Sequence, residues 1–74
     1  MKTRIRMGTV SSDLVAKVGY DNSTNTMRVE YSDGAVFDYV GISLSTYKVL
    51  LRSHHIGTDW LNLRDQYRFR RITS

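Results

Sequence analysis

TMRVEYSDGAVFDYV, residues 26–40, sets Met27, Val29 and Tyr31 on one side of the chain and Arg28, Glu30 and Ser32 on the other. That is the two-residue period of a half-buried strand. The alternation stops at Ser32-Asp33-Gly34, where the glycine takes positive φ without steric cost, and AVFDYV follows as the partner strand of a hairpin. Upstream, LVAKVGY alternates Leu14, Ala16, Val18 and Tyr20 with Val15, Lys17 and Gly19, and it ends in the polar turn DNSTN. Residues 14–40 therefore read as a three-stranded antiparallel meander. Met27, Val29 and Tyr31 offer its core face, which Phe37 and Tyr39 share if the helices pack there.

The same reasoning extends in both directions. Lys2, Arg4 and Arg6 alternate with Thr3, Ile5 and Met7, which predicts a strand at the N-terminus. After Gly41 the period changes: Ser43 is placed to cap a helix, and Leu44, Tyr47, Leu50 and Leu51 recur at three- and four-residue spacing. SHHIG breaks that helix. TDWLNLRDQ predicts a short second helix with Thr58 as cap and Asp59 in its positive first turn. The terminal YRFRRI returns to alternation and predicts a last strand. The expected class is α+β: a small antiparallel sheet, meander plus terminal strands, covered by two short helices.

With 74 residues there is one small core and no room for a deep enclosed active site. The absence of Cys removes disulfides and thiolate zinc sites and suits a reducing compartment. No apolar stretch approaches the roughly 20 residues of a membrane span, and the start MKTRIRMGTVSSD lacks a secretory apolar segment, so a cytoplasmic protein without a membrane partner is expected. In that context Asn22-Ser23-Thr24 is a turn rather than a glycosylation acceptor.

Charge is segregated. Residues 1–10 carry Lys2, Arg4 and Arg6 without an acid, and residues 60–74 carry Arg64, Arg68, Arg70 and Arg71 against Asp65, so each end is +3 while residues 11–59 are −2. Eight of the eleven basic residues are Arg, whose planar fork pairs with phosphate in two parallel bonds and stacks on rings. If the terminal strands were neighbours, Arg4, Arg6, Arg68 and Arg70 would form one basic ridge, with Arg64 and Arg71 near its end. Solvated termini, or edge strands charged against aggregation, are the bland explanation.

Catalytic motifs are missing. Ser11, Ser12, His54, His55 and Asp59 are hydrolase residue types, but no Gly-x-Ser-x-Gly elbow or carboxylate pair accompanies them, and a serine pair before a strand usually makes a turn. His54 and His55 are adjacent, point about 100° apart if helical, and have no third soft ligand nearby, so no metal site is expected. No phosphate-cradling glycine loop with a following Lys supports nucleotide hydrolysis, and no cofactor is implied. Trp60, flanked by Ile56, Leu61 and Leu63, reads as a core anchor. The candidate stacking rings are Tyr39, Tyr67 and Phe69, reduced to Tyr67 and Phe69 if Phe37 and Tyr39 go to the core.

The order strand, three strands, two helices, strand resembles the KTSC domain family, a small module found alone and at the C-terminus of some lysyl-tRNA synthetases. The resemblance rests on Ser11-Ser12, Gly19-Tyr20-Asp21, Phe37-Asp38-Tyr39 with Gly41, SHHIGTDWLN and YRFRRI. It runs along nearly all of residues 1–74 and implies a single domain with its core from about residue 5 to 72. The family usually has Tyr where this chain has Phe37, and often Pro where it has Ser43. What the resemblance implies about function is modest, an RNA-binding role drawn from the synthetase context.

The expected activity is non-enzymatic binding of a phosphate-bearing ligand, first of all single-stranded RNA or another nucleic acid. Phosphates would go to Arg4, Arg6, Arg64, Arg68, Arg70 and Arg71, and bases to the rings. Two alternatives are a small oligomeric sponge that sequesters a signalling nucleotide, as bacterial or phage proteins do, and a protein-interaction adaptor using a free sheet edge.

Overall fold

The hairpin of residues 26–40 is the middle of a five-stranded sheet in a computed structural model that describes residues 5–72. Its strands are β3 (Thr26–Tyr31) and β4 (Val36–Val40), flanked by β2 (Val15–Asp21) and β5 (Arg68–Ile72), with β1 (Met7–Thr9) outermost beside β2. All pairings are antiparallel and the order is β1-β2-β3-β4-β5. Two helices, α1 (Leu44–Arg52) and α2 (Ile56–Leu63), and a 3-10 turn at Arg64–Gln66 lie between β4 and β5. The architecture is α+β, and no helix among the described residues is long and apolar enough to cross a membrane.

Turn chemistry explains the register. Gly34 sits at φ 93, Asp33 accepts from the Ala35 N–H at 3.0 Å, and the Tyr31 N–H donates to the Ala35 carbonyl at 2.8 Å. Residues equidistant from Asp33 therefore pair, Val29 with Phe37 and Arg28 with Asp38. In the DNSTN turn the Asp21 carboxylate accepts from the Ser23 N–H at 2.9 Å and its hydroxyl at 2.6 Å, which holds the Asp21 carboxyl below its ordinary pKa. Asn25 completes the reversal at φ 53, a conformation asparagine tolerates better than most side chains.

The helices cover one face of the sheet. Val15, Val18, Met27, Val29, Tyr31 and Tyr39 from the strands meet Leu50, Ile56 and Trp60 from the helices, with Ile42 of the β4–α1 connection buried among them. Each such apolar side chain contributes about 1.5–3 kcal/mol of transfer free energy. Ser43 caps α1 as expected, accepting from the Thr46 N–H at 3.2 Å. Tyr20 tethers the connection by donating to the Ile42 carbonyl at 2.5 Å, and its ring stacks on Tyr47 of α1 at 4.9 Å.

Four expectations are corrected. The first strand is Met7–Thr9, C-terminal to the predicted alternation, and Lys2 and Arg4 lie outside the described residues. A β-bulge between Val15 and Lys17 puts Val15 and Val18 on the same buried face and leaves Leu14 39% exposed, so strict alternation fails there. Of the apolar stripe expected on α1 only Leu50 is buried; Tyr47 is half-buried against the stacked Tyr20 ring, and Leu44 and Leu51 are exposed. α2 starts at Ile56 with His55 as N-cap, so Thr58 lies inside the helix; Ser53, whose hydroxyl accepts from the His55 N–H and donates to Asp59, organises that end instead.

Candidate nucleic-acid interface

β5 is an edge strand, and its alternation distributes the RFRRI residues between two surfaces. Arg68 and Arg70, in register with Val40 and Asp38, belong to the face that no helix covers. Phe69 and Arg71, in register with Tyr39 and Phe37, belong to the helix-covered face at its open margin. Phe69 is 64% exposed and leans on Phe37 at 5.7 Å and Tyr39 at 5.9 Å between ring centroids. The Arg71 guanidinium stands 5.9 Å from the Phe37 ring centroid.

Arg64 reaches the same margin from the 3-10 turn. Its guanidinium lies 5.6 Å from the Tyr31 ring centroid and donates through Nη1 to Tyr31 Oη at 3.2 Å, which raises the Arg64 pKa further. Beneath it the Trp60 Nε1–H donates to Tyr31 Oη at 2.9 Å, and the Tyr31 and Tyr39 hydroxyls are 2.6 Å apart. Burial first, and the Tyr31 contact second, push the Tyr39 phenol well above its ordinary pKa.

On the uncovered face Arg28 takes both oxygens of Asp38, at 2.7 and 2.9 Å. This is the one ion pair among the described residues. Asp38 is thereby spoken for, and among the described residues no carboxylate makes ion-pair contact with Arg68 or Arg70 beside it, or with Arg64 or Arg71. The strand edge carries uncompensated cations around an exposed ring.

The structure brings Arg64, Arg68, Arg70, Arg71 and Phe69 together but not every predicted residue. Arg6 precedes β1 at the opposite edge, four strand spacings or about 19 Å away, so the two termini do not build one ridge. Arg4 lies outside the described residues. Tyr39 is 3% exposed and has no free face. Tyr67 is half-buried with its ring parallel to Trp60 at 6.4 Å. Trp60, 1% exposed, is the core anchor.

Ser11, Ser12, His54 and His55 share a shallow pocket at the start of α2, yet no hydrogen bond among the described residues joins Ser11 or Ser12 to either histidine. Ser12 Oγ accepts from the Leu14 and Val15 N–H groups at 3.1 and 3.2 Å, closing the turn before β2. It also fills the space at Gly57 where a Cβ would collide with it, so only glycine lets α2 settle on this turn. A concavity of about 840 Å³ between α1 and α2 offers one cation, Arg52, against the carboxylate of Asp59. It does not suit a polyanion.

Two features escaped sequence reasoning. The Arg28–Asp38 pair was available from the hairpin, since the two are equidistant from Asp33. The hydrogen bonds around Tyr31 had only a general signal, the need of buried Tyr and Trp for partners.

The KTSC domain family model matches residues 11–59, from the serine turn to the first turn of α2; β5 and its arginines lie beyond that segment. Among solved structures, a KTSC domain protein from Yersinia pestis is similar at a TM-score of 0.87 and 17% identity, over 95% of this chain and 100% of that one, which shows the shared fold. No curated protein matches the sequence.

Proposed function

This chain belongs to the KTSC domain family, and from that premise we propose that it is a non-enzymatic binding module for phosphate-bearing ligands, foremost single-stranded RNA. The reading is carried by one observation: an edge strand on which an exposed phenylalanine stands among arginines that have no acidic partner among the described residues. Phosphates carry diffuse negative charge that guanidinium forks meet in pairs of hydrogen bonds, and unpaired bases offer faces that stack on an aromatic ring. Arg68, Arg70, Arg71 and Arg64 take the backbone, and Phe69 takes a base. Tyr39 serves from below by supporting Phe69.

Fluorescence anisotropy with labelled single-stranded RNAs of increasing length, at several salt concentrations, tests this. Affinity should rise with length, and Arg68→Ala/Arg70→Ala should weaken binding and flatten the dependence of log affinity on log salt by about 1.4 units for single strands. The double variant should keep its thermal stability to within about 0.5 kcal/mol, because both side chains are exposed. Saturation by a mononucleotide or cyclic dinucleotide, with no gain from length, would turn the reading to a nucleotide sponge. Equal, weak binding by both proteins would leave the arginines as edge protection.

A further inference from the structure

We propose that the small pocket beside Phe69 selects a guanine base, an inference that rests on the nucleic-acid reading above. The first support is a hydrogen-bond count at the buried phenols. Tyr31 Oη receives the Trp60 Nε1–H at 2.9 Å and the Arg64 Nη1–H at 3.2 Å, which occupy both of its lone pairs. The 2.6 Å contact with Tyr39, in which either hydroxyl can donate, is then assigned to Tyr31's own proton, with Tyr39 as acceptor. Tyr39 keeps a hydroxyl proton that no described residue accepts, on a side chain only 3% exposed. The Tyr39 oxygen has its partner in Tyr31, and with that direction of donation its proton is left for a ligand.

The second support is what surrounds it. Tyr39, Phe37, Arg64, Asp65 and Phe69 line an open pocket of about 240 Å³. Pockets for drug-sized ligands start at roughly 300 Å³, so this one suits a single base rather than a whole nucleotide. It offers donors from Tyr39 and from Arg64, whose guanidinium spends one of its five N–H groups on Tyr31. Asp65 offers carboxyl oxygens as acceptors, and Phe69 a stacking face.

Guanine is the complement of that set. It alone among the four bases places an acceptor, O6, next to two adjacent donors, N1–H and N2–H₂, which a single carboxylate takes together. Adenine and cytosine present one amino donor beside ring acceptors, and uracil one imino donor. Arg64 and Tyr39 donate to O6 and N7 while Asp65 receives N1–H and N2–H₂, and the plane of the base lies on Phe69.

Single-stranded RNA hexamers that differ only in a central guanine, inosine, adenine, cytosine or uracil, alongside GMP, IMP and AMP, test the assignment by anisotropy and calorimetry. The guanine hexamer should bind at least about fivefold tighter than the adenine, cytosine or uracil hexamers, the lower end of what a bidentate base contact supplies. Inosine, lacking the N2 amino group, should fall between. Asp65→Asn, an exposed substitution that leaves thermal unfolding unchanged, should erase the preference while hexamers still bind. Equal affinity for every hexamer, or a guanine preference that survives Asp65→Asn, overturns the pocket and leaves the nucleic-acid reading standing. A GMP-over-AMP preference without hexamer binding would do the reverse, and no binding of either overturns both.

Discussion

Trp60, Tyr31 and Tyr39 at one end of a continuous row of rings, and Phe37 and Phe69 at the other, are built from the same class of side chain and live in opposite surroundings. Trp60 is 1% and Tyr39 3% exposed, with T-shaped ring contact at 4.6 Å, whereas Phe69 is 64% exposed. The polarity runs against what solubility would choose: the rings with N–H and O–H groups are inside, and the phenylalanines are at the margin. The inner rings use those groups on one another, so each buried nitrogen and oxygen there has a hydrogen-bond partner among the described residues. At the outer end a bare hydrocarbon ring stands exposed among arginines, the position at which the proposed function stacks a base.

The difference between the two ends breaks first at Trp60. Trp60→Ala should cost about 3–5 kcal/mol, most of what a domain of this size has, because the cavity lies under both Tyr31 and Tyr39. Urea denaturation followed by circular dichroism reads this, and unchanged stability would place the supposed dry end in water. Tyr31→Phe should come next, at about 1–3 kcal/mol, since one deleted hydroxyl strands donors on Trp60 and Arg64.

Alkali attacks the same end. The Tyr39 pKa is raised in the folded state by burial and by its bond to Tyr31, and burial also raises those of Tyr20 and Tyr47. A raised folded pKa contributes stability that is full below the ordinary phenol value of about 10 and lost as pH rises above it. Thermal unfolding should therefore show a plateau to the pH where free tyrosine ionises and a decline beyond it, and Tyr39→Phe should reduce that decline.

Legibility in the sequence follows the range of the interaction. Alternation, Asp33-Gly34 and the Ser43 cap act over a few residues, and they led to the hairpin, the meander and α1. Where a local rule has an equally local competitor it misled: the bulge after Val15 breaks a two-residue period, and Ser53 rather than Thr58 organises the start of α2. Side-chain meetings between distant elements were not legible, Trp60 with Tyr31 across 29 residues being the clearest case. The terminal arginines were visible as candidates, yet nothing in them says that the first and last strands take opposite edges. That depends on which side of the meander each joins.

At the outer end, Phe69→Ala should separate stability from binding. The exposed ring keeps an edge contact with Phe37 and a tilted one with Tyr39, so its loss should cost no more than about 1.5 kcal/mol of stability. If a base stacks there, single-stranded RNA affinity should fall by about 1–3 kcal/mol. The reverse pattern, intact binding with a large loss of stability, would make Phe69 a continuation of the core.

Phe37 stands between the two ends, and Phe37→Tyr sharpens where one stops and the other begins. The ring is half-buried, makes edge contact with Tyr31 at 5.8 Å and with Phe69 at 5.7 Å, and lines the open pocket. A para hydroxyl directed into that pocket reaches water and needs no protein partner, whereas one directed at Trp60 and Tyr31 would meet a site whose donors and acceptors are already matched. The pocket side predicts a change within about 0.5 kcal/mol, the usual range for surface positions. A loss of about 1–3 kcal/mol, the cost of a buried polar group without a partner, would move the boundary outward and leave Phe69 as the only wet ring of the row. Binding adds a second reading of the same variant. A tyrosine hydroxyl at the pocket wall adds a donor beside Arg64 and should leave RNA affinity equal or slightly higher, while a ring displaced by its new oxygen would tilt Phe69 and lower it.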